Sequence, residues 1–436
     1  MSASQSQVVV VEGGRVIDPA NGIDGIRTVV VAEGRIAEVA ERFDAPRDAR
    51  VIDARGRWVT PGFVDLHVHL REPGQEYKET VATGARAAVA GGFTSVCAMP
   101  NTLPPNDNAS VTELVLARAA AAALARVYPI GCITRGRKGE ELAEYGELKA
   151  AGCVAVTDDG SPVNSAALMR RALEYARAFG LPVAVHEEDL QLVGKGVMNE
   201  GAAATRLGLK GNPAQAEDVM VLRDISLVEL TGGRLHVCHL STAGSVRAVR
   251  EAKRRGLPVT AEASPHHLTL CDEDVAASDY DTDLKMNPPL RSADDRKAVR
   301  EGLADGTIDA IATDHAPHAV EDKKVEFDAA ANGILGLETA FPVVLELCRR
   351  GLLEEGRLVE ALTVGAARCF GLPAGTLSRG AAADVAVLDP AAEWVVDPFA
   401  MFSRSRNTPW KGRKLVGRCT HALVGGRVVH ELGGQR

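Results

Sequence analysis

His67 and His69 stand two residues apart at the end of an apolar run that begins at Phe63. In an extended strand that spacing turns both imidazoles to one face, where they could share a metal ion. His186 follows Pro182-Val183-Ala184-Val185 and His239 follows Leu235-His236-Val237-Cys238, so each also closes an apolar run. Neutral imidazole is a preferred zinc ligand, and four exceed what one open catalytic zinc requires. A pair of ions about 3.5–4 Å apart, bridged by an anion, is the more economical use. Asp314, in Ala312-Thr313-Asp314-His315-Ala316-Pro317-His318, ends a further run. One carboxylate oxygen there can bind metal while the other holds or shuttles a proton; the plainer role is a helix N-cap. His236, His266, His267 and His315 have a less favourable parity or position and read as supporting residues. His421 and His430 belong to a different texture near the chain end.

Such scattered groups act together only if the fold gathers them. The middle of the chain alternates apolar strand-like runs with Ala-rich helical stretches, the pattern of repeated βα units around a parallel sheet. Eight runs qualify: Phe63–His69, Thr94–Pro100, Val127–Ile133, Val154–Asp159, Pro182–His186, Leu235–His239, Pro258–Ala263 and Ile308–Asp314. Five of them end in His or Asp. In a (β/α)8 barrel the carboxyl ends of the strands converge at one mouth, where catalytic groups meet. Between the first two runs a helix is predicted over Lys78–Ala90, stopped by Gly91-Gly92. The flanks differ. Val8–Val11, Thr28–Val31, Arg35–Val39 and Trp58–Val59 read as a small antiparallel β unit. Ala383–Leu388 and Ala422–His430 repeat that texture, with Gly425-Gly426 as a hairpin turn. The two ends are expected to pair. The predicted fold is α/β, a (β/α)8 TIM-like barrel over residues 59–370 with a small β-sandwich domain built from residues 1–58 and 371–436.

A chain of 436 residues suits such a barrel, of about 250 to 300 residues, plus a smaller unit. Hydrophobic residues at 46% and charged residues at 25% are ordinary for a globular protein and exclude disorder throughout. The net charge of −8 argues against nucleic acid or an acidic membrane as partner and favours a small molecule. Eight cysteines, scattered singly with no CxxC pair, read as buried apolar residues in a reducing cytoplasm, and no disulfide is expected. Met1 to Val11 lack a signal-peptide pattern and no run of about 18 apolar residues occurs, so a cytoplasmic protein is expected.

Read together, Asp65-Leu66-His67-Val68-His69-Leu70-Arg71-Glu72-Pro73-Gly74, Ala98-Met99-Pro100-Asn101-Thr102, Thr157-Asp158-Asp159-Gly160, Lys285-Met286-Asn287-Pro288-Pro289 and Ala312 to His318 resemble the dihydroorotases of the longer bacterial type, within the amidohydrolase superfamily. The likeness runs from Gly14-Arg15 to Gly425-Gly426. It implies two Zn2+ ions per subunit, one on His67, His69 and Asp314, the other on His186 and His239, with Asp159 bridging. Many relatives bridge with a carbamylated lysine; here that run ends in Thr157-Asp158-Asp159, and Lys149 lies in the preceding helical stretch. Asp158 and Asp159 face opposite ways, so one reaches the metals easily. The family pattern selects Asp159 and leaves Asp158 as an exposed turn acceptor.

The resemblance further implies the reversible closure of N-carbamoyl-L-aspartate to dihydroorotate, by attack of a zinc-held hydroxide on the ring amide in the hydrolytic direction, with Asp314 as the catalytic proton carrier. Dihydroorotate carries a carboxylate, for which the Arg71 guanidinium is the best-shaped partner. His69, Asn101, Asn287 and His318 would complete the substrate pocket. Glu321 to Gly333 reads as a charged mobile loop beside the mouth. There Asn332-Gly333 stands where many relatives place an aromatic residue before the ring-contacting glycine. Two rival readings remain: an allantoinase or dihydropyrimidinase, disfavoured by Arg71 and the missing bridging lysine, and a non-catalytic subunit of aspartate carbamoyltransferase, disfavoured because all six ligand positions are filled. A homodimer and a complex with that transferase are partner states that the sequence leaves open.

Overall fold

The β-branched runs of the sequence become strands, and the stretches between them become helices, in a computed structural model that describes residues 8–434. Phe63–Val68 pairs with Phe93–Ala98, and that strand with Arg126–Pro129, all in parallel. Val183–Val185, Leu235–Val237, Val259–Ala263 and Ala310–Ile311 form a second parallel set in that order. Single parallel bridges connect the two sets: Gly131 with Val156, Val156 with Val183, and His315 with Val68. The pairings thus lead from the first strand through the others and back to it.

Two expected strands are much shorter than predicted. Val154–Asp159 is reduced to the bridges at Val156. Its Asp158 carboxylate accepts the Ile133 and Thr134 N–H groups that a longer ladder would have bound to carbonyls. Ile308–Asp314 shrinks to Ala310–Ile311, because Thr313 N donates to the Asp65 carboxylate (3.0 Å) and Asp314 adopts a left-handed φ of 48°. The helix predicted from Lys78 starts at Val81, where Thr80 accepts the Thr83 N–H as N-cap. It stops at Gly91, where a Cβ would lie 1.9 Å from the Leu337 carbonyl oxygen.

The chain ends do pair: Trp58–Pro61 runs antiparallel to Val385–Leu388. Among the described residues this joins Val9–Asp18, Ile23–Ala32, Arg35–Ala40, Arg50–Asp53 and Trp58–Pro61 with Val385–Val395, Lys414–Val424 and Arg427–Glu431 in one connected sheet. The expected wholly antiparallel pattern is corrected at two places. Val9–Asp18 pairs in parallel with the unforeseen strand Arg50–Asp53 and with Trp58–Val59, since the chain after Ala40 crosses the sheet instead of turning back in a tight hairpin. Gly425 and Gly426, at φ 54° and 77°, make the predicted turn between Val424 and Arg427. Val11, Val16, Val29, Ile52, Val59, Leu377, Val385 and Leu423 form the apolar core of this unit. The outermost limits foreseen for it, residues 1 and 436, lie outside the described residues.

All eight cysteines are free thiols and all but Cys348 are buried. Among the described residues no helix is long and apolar enough to cross a membrane.

Candidate metal centre

His67 lies in the last turn of pleat of Phe63–Val68, and His69 N donates to His315 O (2.9 Å), which carries the pairing just past the strand end. Asp65, on the same face, accepts from His67 N and from the Thr313 hydroxyl (2.6 Å), tying this strand to the segment that bears Asp314. Arg71, His239 and Asp314 all have left-handed backbone, with φ of 61°, 33° and 48°. For residues other than glycine this costs of order 1–3 kcal/mol each and is concentrated at functional sites. Arg71 therefore reaches its place through a sharp turn beyond the strand end.

The four imidazoles surround one carboxylate. Asp159 Oδ1 lies 3.4 Å from His67 Nε2, 3.7 Å from His186 Nδ1 and 3.5 Å from His239 Nε2, while its Oδ2 lies 3.6 Å from His69 Nε2. Asp314 Oδ1 is 3.4 Å from His67 Nε2 and 3.2 Å from His69 Nε2. All six side chains are buried.

This donor set fits divalent metal. His67 Nε2 is buried with no hydrogen-bond partner, and His186 Nδ1 faces His239 Nε2 at 3.0 Å, a close approach of ring nitrogens that a shared cation would relieve. His67, His69 and Asp314, and likewise His67, Asp159 and His239, offer ligand atoms within 4.8 Å of one another. Imidazole and carboxylate are ligands zinc takes readily. A third set, His67, Cys238 and Glu262, is better explained as a hydrogen bond, since His67 Nδ1 lies 3.0 Å from Glu262 Oε1.

Residues 56–245 match the family model DHOase, described as Dihydro-orotase-like. A dihydroorotase of Anaeromyxobacter sp. (strain K) is 78% identical over 428 residues, covering 98% of this chain and 99% of that protein. Another, of Geotalea daltonii, is 55% identical and covers 97% and 99% of the two chains. The chain belongs to the dihydroorotase family. In three dimensions this dihydroorotase-family chain is similar to the L-hydantoinase (dihydropyrimidinase) of Arthrobacter aurescens, with a TM-score of 0.87, 26% identity, and coverage of 98% and 96%.

The other residues singled out from the sequence lie around this cluster, often with a second task. Asn101 Oδ1 is 2.7 Å from His69 Nδ1, and its amide donates to Asp159 Oδ2 (3.3 Å). Asn287 donates to Glu188 Oε2 (3.2 Å) beside His186. Arg71 Nε donates to Pro317 O (3.1 Å), with Nη2 3.3 Å from His318 Nε2. His318 Nε2 in turn meets the Asn332 carbonyl at 2.8 Å. Gly333 packs so closely that a Cβ would lie 2.7 Å from Ala316 O. Burial first, then the positive Arg71, Lys78 and Lys323, push His318 down to about 3, so its ring stays neutral and donates to Asn332. Burial would raise Asp314, but His67, His69 and His239 outweigh it and hold the carboxyl below its ordinary range.

Two expectations are corrected. Asp158 is buried at 3% exposure, not an exposed turn acceptor, because it bonds Ile133 N, Thr134 N and the Thr134 hydroxyl. The segment from Glu321 to Gly333 is not uniformly solvated. A short helix, Val320–Lys323, places Lys323 inside, where Nζ donates to Ala331 O (2.8 Å) and Gly333 O (3.1 Å). Lys285 Nζ does the same for Asp328 O and Ala330 O.

Sequence reading missed Glu262 and Glu188, whose carboxylates face His67 Nδ1 and His186 Nε2. The signal was available for Glu262, a lone charge in the strand Val-Thr-Ala-Glu-Ala. Glu188, two residues after His186, was hidden in the polar stretch Glu187-Glu188-Asp189.

Proposed function

We propose that this chain is a dihydroorotase, interconverting N-carbamoyl-L-aspartate and dihydroorotate plus water on the path to pyrimidine nucleotides. The observation that carries the reading is Asp159 ringed by His67, His69, His186 and His239, with the buried Arg71 guanidinium tied to Pro317 O just past Asp314. Family membership at high identity over nearly the whole chain supports it. We further propose that the parallel strands form a (β/α)8 barrel over residues 59–370, and that the terminal sheet curls over its own core as a sandwich-like domain from residues 1–58 and 371–436.

In this reading His67, His69 and Asp314 would hold one zinc ion, and His186, His239 and Asp159 would supply the donors for a second. When bound, zinc supplies Lewis acidity, polarising the ring amide carbonyl and acidifying water near neutral pH. Arg71 binds the substrate carboxylate and orients the ring, its Nε being committed to Pro317 O. His318 and the Asn332-Gly333 backbone wall the ring. Asn101 holds both His69 and Asp159 in place. In hydrolysis the amide C–N bond breaks as water adds to the carbonyl carbon. Asp314 takes the proton from that water and passes it to the departing ring nitrogen; closure of carbamoyl aspartate runs the same steps backwards.

Asp314→Asn tests the proton role, since it keeps the shape while removing the base. Turnover of metal-loaded variant within a few fold of the parent removes Asp314 from the mechanism. Comparing dihydroorotate with dihydrouracil and allantoin tests the substrate, and preference for a neutral ring overturns the assignment.

A further inference from the structure

Glu262 sits on Val259–Ala263, a parallel strand whose end supplies none of the candidate ligands. It is 1% exposed, and a carboxylate taken out of water is costly unless its oxygens are bonded. Both are bonded here. Oε1 lies 3.0 Å from His67 Nδ1, and Oε2 lies 3.0 Å from His236 Nε2. His236 is itself fixed, with Nδ1 2.8 Å from the Thr260 hydroxyl and its ring edge-on to Phe370 at 5.0 Å.

Each Glu262 oxygen lies at hydrogen-bond distance from a ring nitrogen, and a carboxylate oxygen accepts, so this geometry has the two facing ring nitrogens carry the hydrogens. For His67 this leaves the lone pair on Nε2, the buried and unpartnered nitrogen that faces Asp159 and Asp314. We infer that Glu262 is a positioning residue of the metal centre, fixing the tautomer and tilt of His67 from beneath, with His236 as the brace that fixes Glu262. One carboxylate thus links three strands: Phe63–Val68, Leu235–Val237 and Val259–Ala263. Oxygen acceptors behind metal-bound imidazoles orient the ring and raise its basicity. Glu262 adds a second histidine that touches no candidate ligand atom in the centre and serves to hold the acceptor itself.

The inference rests on the reading of His67 as a metal ligand. Its test measures zinc affinity by chelator competition and zinc content by elemental analysis for the parent, Glu262→Gln, His236→Gln and His67→Ala proteins. Glutamine keeps the size of Glu262 but presents one acceptor and one donor to two ring N–H groups. Zinc affinity of Glu262→Gln is expected to fall about 10–100-fold with the circular dichroism spectrum unchanged, and that of His236→Gln to fall in the same direction by less. Affinity of Glu262→Gln within about twofold of the parent overturns the positioning role, even where thermal stability drops. Should that variant not fold, unchanged affinity in His236→Gln overturns it equally. Unchanged zinc content and affinity in His67→Ala remove the metal reading, and this inference with it.

Discussion

Replacing Arg71 by methionine separates substrate recognition from the chemistry of the metal centre. The guanidinium is buried, and its Nε already donates to Pro317 O, so Nη1 and Nη2 remain for a substrate carboxylate. Two charge-assisted hydrogen bonds at about 1.5–3 kcal/mol each come to about 3–6 kcal/mol. At about 1.4 kcal/mol per tenfold, kcat/KM for dihydroorotate should fall roughly 10²- to 10⁴-fold. Dihydrouracil, which lacks the carboxylate, should lose little. The substitution also leaves Pro317 O without this donor, a stability cost of about 1–3 kcal/mol, so thermal unfolding should accompany the kinetics to confirm that the variant is folded at assay temperature. A folded variant in which both substrates fall by the same factor would refute the argument, because Arg71 would then act on the centre and not on the carboxylate.

Chelation should abolish activity while leaving the chain folded, because the carboxylates of Asp159 and Asp314 still face the His67 ring, whose proton affinity they raise against the effect of burial. Restored zinc should return activity and raise the unfolding midpoint, by about 4 kcal/mol of stability when free zinc is 1,000 times its Kd; full activity in the chelated protein would refute the metal centre. Glu338 gives a pH test at a carboxylate that is not among the candidate ligands. Burial pushes its carboxyl up to about 7, with the Phe402 and Ser403 N–H groups as opposing donors. The folded state therefore keeps a proton that an unfolded glutamate, ionising at 4.5, has released, so stability falls as pH rises between these values. Glu338→Gln should stabilise more at a pH of about 8.5 than at about 5.5 in denaturant unfolding, and an equal effect at both would refute the burial argument.

The candidate cluster was largely legible in the sequence because its chemistry is written in the residue types that close apolar runs. His67, His69, His186, His239 and Asp314 each follow an apolar run, and strands that run parallel carry such ends to one side. Register was less legible. The strands predicted to Asp159 and Asp314 stop early because the carboxylates of Asp158 and Asp65 take backbone N–H groups from the ladder, a competition no apolar pattern records. Lys323 looked solvated because nothing local announces that the Ala331 and Gly333 carbonyls will satisfy it.

By itself the sequence determined the family, the alternation of strand and helix, the pairing of the two chain ends and the residues able to bind metal, since each follows from local periodicity or from a short motif. Only the tertiary structure decided what those residues face. Glu262 lies 195 residues from His67 along the chain yet bonds its ring, and Arg71 acquires its position from a left-handed turn and the Pro317 carbonyl. The orientation of an imidazole depends on the acceptor behind it, and that acceptor is chosen by folding, not by neighbours in sequence.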